Sequence, residues 1–273
     1  MVDIDIPRIK VKLPSLHLDT EQLLSKLNLD KLDGLDTEVG GQTISAWTQE
    51  WLRWAMQAPA DDNPLSSTSY AATHDGNTMG VFFLAGGGWT DAEIADVPAN
   101  TPILLPMINA WDIEGPGTGT LQHPSGDWAQ DAATVTRLAL DSIQSTRFSL
   151  VKLNDGLSAH TSGSSTSMSS LRTVSGVSDL FALGEPQPGS LIESLVGTSL
   201  EPSIQDLPYS MIAGKWVMIG GLSPGDYRVE FGGHGQPVLD PTADPGEARY
   251  IIGDEQGWGT VTSDILHVVA QTP

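Results

Sequence analysis

The residues of this chain whose types and spacing come closest to chemistry are carboxylates. Asp112 and Glu114 follow an apolar run at i, i+2, so they share a face if the backbone stays extended. Glycoside hydrolysis needs two acids roughly 5–10 Å apart. With His74 or His234 as a proton-transfer partner, Asp112 and Glu114 form the candidate catalytic set. Two further acidic groups lie in polar loops, Asp61 with Asp62 and Asn63, and Asp240 with Asp244 and Glu247. Loops mixing Asp, Asn and backbone carbonyls can hold calcium through roughly 6–8 oxygens. Neither group has EF-hand spacing, so a solvated acidic surface is the competing reading.

Other motifs point away from familiar chemistries. None of the six histidines has another at i+4, and HExxH is missing, so no helical zinc site is expected. GLSPG at 221–225 has the form G-x-S-x-G, but Pro224 and the alternating DYRVEF follow Ser223 where a nucleophile elbow needs a helix. The expected structure there is a tight turn between two antiparallel strands. GPGTG at 115–119 and AGGGW at 85–89 lack the lysine and the β-α setting of a phosphate cradle.

The elements that must position these residues are mostly strands. Apolar runs bounded by Gly, Pro, Asp or Asn are read at 80–85, 101–110, 145–153, 171–183, 215–220, 226–231, 248–252 and 264–269. Their pattern predicts a mostly β fold, a β-sandwich or jelly-roll-like body with two or three short helices. One helix is predicted near 43–57, where Trp47, Trp51 and Trp54 recur on one face as a core staple. A second is predicted near 131–143, with Val135, Leu138 and Ile143 on its inward stripe. Residues 158–170, small and polar, read as a mobile loop. Residues 1–40 read as an appended arm, an extended piece plus a short helix opening at Asp19, and 41–273 as a single globular domain.

The chain has 273 residues and a formal charge of −21, with 13 basic and 34 acidic side chains. So negative a chain repels phosphate backbones, so nucleic acid is excluded as a partner. No apolar run is long enough to span a bilayer, so membrane insertion is not expected. There is no cysteine, hence no disulfide and no thiol nucleophile. The opening MVDIDIPRIKVKLPSLHLD lacks the apolar stretch and cleavage site of a Sec signal.

Three segments together carry a resemblance. WTQEWLRWAMQAPADDNPL at 47–65, GVFFLAG at 80–86 with VPANTPILLPMINAWD at 97–112, and GKWVMIGGLSPGDYRVEFGG at 214–233 resemble a group of mostly exported bacterial proteins. No activity or cofactor is established for that group, so the resemblance implies none. It does imply export, although its members generally begin with a signal peptide. Cysteines that often follow the NP loop and precede the VPA segment in the group are absent here.

These readings lead to a non-enzymatic binding or structural protein of a cell-surface or extracellular assembly, exported without a Sec signal and calcium-stabilised. Residues 1–40 would serve homo-oligomer or assembly contacts, and Trp89, Trp111, Trp128 or Trp258 would offer stacking surfaces to a glycan. The alternative is a carboxylate-dependent enzyme acting on carbohydrate or another small polar substrate.

Overall fold

The computed structural model describes residues 35–36, 38–65, 80–85, 90–114, 128–153, 171–196, 208–240 and 249–270. The chain divides into two compact units, 1–31 and 32–273. The first unit, with the arm's extended piece and helix, lies outside the described residues, as does the loop predicted at 158–170.

The fold is mostly β. Its described elements run β1 (Glu38–Val39), β2 (Gln42–Thr43), α1 (Ile44–Gln57), β3 (Phe82–Phe83), β4 (Thr90–Pro98), β5 (Ile103–Glu114), α2 (Trp128–Ser142), β6 (Ile143–Lys152), β7 (Leu171–Val177), β8 (Phe181–Ala182), α3 (Leu191–Val196), β9 (Tyr209–Ile219), β10 (Gly225–Gly235), β11 (Val238–Leu239), β12 (Tyr250–Ile252) and β13 (Val261–Val269). One large sheet has the order β4-β13-β10-β6, and the other β3-β5-β9-β7 with β8 pairing β9. No helix among the described residues is long and apolar enough to cross a membrane.

Helix α1 begins where the Thr43 hydroxyl accepts the Ala46 N–H at 3.2 Å. It ends at Ala58, whose extended backbone precedes Pro59. Trp47 and Trp51 are fully buried. The Trp51 ring meets Trp216 of β9 edge-on with centroids 5.2 Å apart, and its indole N–H donates to the Leu84 carbonyl at 2.7 Å. The Trp47 indole N–H donates to the Val39 carbonyl at 2.8 Å, and Leu35 joins the same core, so the residues around β1 are part of the body's packing.

The polar face of α1 grips a distant segment. Arg53 donates to the Ala182 carbonyl at 2.8 Å and lies over the Phe181 ring. Gln57 donates to the carbonyls of Leu183 and Glu185 and accepts the Gln187 N–H.

Strand β9 is apolar almost throughout because both its faces are covered. Ile212, Trp216 and Met218 belong to the cluster that includes α1, while Met211 packs on Ala132 of α2. The inward stripe of α2 is Ala132, Val135, Thr136 and Ala139, all buried. Of the stripe expected from sequence, Leu138 is only half-buried and Ile143 opens β6. Small side chains on that face let the helix approach β9 closely, a signal that a search for large apolar residues passes over.

The structure also corrects the turn expected at GLSPG. Strands β9 and β10 lie in different sheets, so this segment is a sheet-to-sheet crossing. Leu222 accepts the Asn100 N–H at 2.9 Å. The fully buried Tyr227 sends its hydroxyl back to donate to the Ser223 carbonyl at 3.0 Å. A tyrosine bonded to the backbone four residues upstream is a corner device known from β-sandwich folds.

Candidate functional site

Among the described residues, the acids singled out by sequence do not gather into one cluster. Asp112 is buried on β5 and stands opposite Met211 of β9, whose side chain packs on Ala132. That puts Asp112 on the face covered by the first turns of α2, where Asp131 is also buried. The Asp112 carboxylate accepts the Ile113 N–H at 3.0 Å, and its carbonyl accepts the Ser210 hydroxyl at 2.7 Å. Glu114 closes β5 opposite Tyr209, so the extended conformation does run through both positions. His74 lies outside the described residues. His234 is exposed on β10 opposite Ser145, in the other sheet from Asp112 and Glu114.

The described members of the two loop groups are engaged in different ways. Asn63 is buried and fully engaged: its amide donates to the Ala55 carbonyl at 2.8 Å and its oxygen accepts the Leu65 N–H at 2.9 Å. It therefore closes the C-terminus of α1, while Asp61 is exposed and Asp62 half-buried beside it. The buried carboxylate of Asp240 accepts both the Nε of Arg249, at 2.7 Å, and its Nη2. Asp244 and Glu247 lie outside the described residues. Among the described residues, no three of His, Asp and Glu come together as a metal site.

Ser223 sits at the sheet crossing, 3.0 Å from the Tyr227 hydroxyl and 3.3 Å from the Lys152 ammonium. Lys152 also donates to the Pro224 carbonyl at 3.0 Å and lies over the Tyr227 ring. Lys152 thereby ties the Ser223 hydroxyl and the Pro224 carbonyl into the corner. The tryptophans proposed as stacking surfaces serve packing where they are described. Trp111 packs against the α1 core, and Trp258 donates to the Ser142 hydroxyl at 2.9 Å. Trp89 lies outside the described residues, and Trp128 is the first residue of α2.

One concave site was not foreseen. The pairing of β5 with β9 slips at a bulge between Pro106 and Ile108. Beside it opens a cleft of about 70 Å3, with Trp51, Leu65, Met107, Asn109, Phe231 and Thr260 in its walls. None of the described residues that line it is charged. The Asn109 amide nitrogen is buried without a hydrogen-bond partner. The sequence signal was Pro106 inside an otherwise uninterrupted strand pattern, which marks a bulge or an edge.

No protein-family model, curated protein or solved structure matches this chain. What the fold and the site define is a mostly β protein with a small cleft at the seam of α1, β5 and β10.

Proposed function

We propose that this protein is a non-enzymatic binding or structural protein, a β-sandwich-like body serving an extracellular or cell-surface assembly. One observation carries the reading: two of the side chains singled out as metal ligands act as struts. Asp240 is tied to Arg249 and Asn63 to the end of α1, while the described residues that wall the cleft are uncharged. Calcium is part of the proposal through Asp61, Asp62, Asp244 and Glu247. Self-association through residues 1–40 and recognition of a glycan complete it.

Thermal unfolding with excess calcium and with chelator tests the calcium element. A site present only in the folded state raises the midpoint by about 5–10 °C at a hundredfold excess over its dissociation constant. Superimposed curves would return these carboxylates to the solvated surface. A second reading, a carboxylate-dependent enzyme, is favoured by the burial of Asp112 on β5 and Asp131 in the first turn of α2. Turnover of a carbohydrate substrate would put that reading in place of the first.

A further inference from the structure

We propose that the cleft beside the β5 bulge receives the acetamido group of an N-acetylated sugar. The inference rests on the reading of this protein as a binder. Size comes first. A cavity of roughly 150 Å3 takes a benzene ring of six carbons, so about 70 Å3 suits about three heavy atoms. The acetyl end of an acetamido group, a methyl carbon with a carbonyl carbon and oxygen, has three.

Charge comes next. The described lining is uncharged, which within a chain of net charge −21 disfavours an anion and gives an ammonium no carboxylate among the described residues to pair with. A neutral group with one apolar end is what remains. Its methyl fits against Trp51, Met107 and Phe231.

Hydrogen bonding decides the class. Asn109 lines the cleft, and its amide nitrogen is enclosed by protein with no acceptor. Leaving such a donor unpaired is costly. A half-turn about the broad terminal torsion of Asn exchanges its donor and acceptor ends, so the amide can serve a ligand carbonyl or a ligand N–H. An acetamido group carries both. The mouth is polar, with Gly259 and Thr260 exposed on it. Gly259 has φ +108, and a Cβ there would come within 2.3 Å of the Gly233 carbonyl, so this rim is backbone brought close. Backbone carbonyls and a threonine hydroxyl suit sugar hydroxyls better than the methylene stem of an acetylated lysine.

The test is saturation-transfer NMR on the full chain with N-acetylglucosamine, glucosamine, glucose and Nε-acetyl-lysine. The expected result is transfer to the acetyl methyl of N-acetylglucosamine, with none to glucosamine or glucose. Asn109→Ala should weaken binding about tenfold. Asn109→Asp, which keeps the side-chain shape but replaces the amide donor, should do the same and guards against a folding defect in the alanine variant. No acetyl-dependent signal, or affinity unchanged in both variants, overturns the proposal and leaves the calcium test of the broader reading intact. Stronger transfer to acetyl-lysine overturns the sugar assignment. Cleavage of N,N′-diacetylchitobiose with Asn109-dependent binding supports the cleft and overturns the non-enzymatic reading.

Discussion

Removing one oxygen atom tests the reading of the sheet crossing. In Tyr227→Phe the ring stays in place under Lys152, and only the hydroxyl that joins Ser223 is lost. Tyr227 is buried, but Ser223 is exposed, so the freed carbonyl regains water. The cost is then that of one net hydrogen bond, about 1 kcal/mol, without the larger penalty of a stranded buried group. For a body of this size that lowers the melting temperature by about 2–4 °C. In urea it moves the midpoint by about 0.4 M, for a denaturant slope of about 2–3 kcal/mol/M. Ser223→Ala is the control. It removes the side-chain contacts to Tyr227 and Lys152 but keeps the tyrosine-to-carbonyl bond, so it should change stability by less than about 0.5 kcal/mol. If Tyr227→Phe is neutral and Ser223→Ala is costly, the serine hydroxyl and not the tyrosine corner holds the crossing, and the reasoning fails.

Two further substitutions test the packing. Asn63→Ala strands the Ala55 carbonyl at the buried end of α1 and should cost about 1–3 kcal/mol, read by denaturant unfolding; a neutral result would mean that the end of α1 does not need this cap. Trp216→Ala empties the space against Trp51 and should cost about 3–5 kcal/mol, with loss of near-ultraviolet circular dichroism; a loss under 1 kcal/mol would show that the core collapses to fill the gap.

The strand-rich class and the tryptophan helix were legible because each rests on a local period. Trp47, Trp51 and Trp54 declare α1 at a glance, and the predicted span of 43–57 differs from the observed one only in counting the N-cap Thr43. Strand β9 was predicted only from residue 215, although it begins at Tyr209. Burial on both faces removes the alternation that marks a strand, and Gly214, pressed against the Ile108 carbonyl, looks like a break. Strand β4 was missed because TDAEIADVP carries three acids and ends in a proline, residues depleted in strands. The sheet change after β9 was hidden because a crossing and a hairpin use the same Pro-Gly punctuation. The Asp112–Glu114 pair was legible as an i, i+2 spacing, but which face it turned to depended on the bulge at Met107. The cleft was out of reach because Trp51, Asn109 and Phe231 meet only through long-range pairing.

The grip of α1 on Phe181–Gln187 also bears on how the chain is made. Arg53 bonds to a residue 129 positions later, and Gln57 to one 130 positions later. On a ribosome adding about 5–20 residues per second, these partners appear several seconds after the helix. Trp216, the ring that closes the core over Trp51, comes later still. During that interval the tryptophan face of α1 has no sheet to cover it, so the nascent chain presents a ready target for holding chaperones. Contacts of such separation also slow the search for the native pairing, which places the rate-limiting step of folding after most of the polypeptide has emerged.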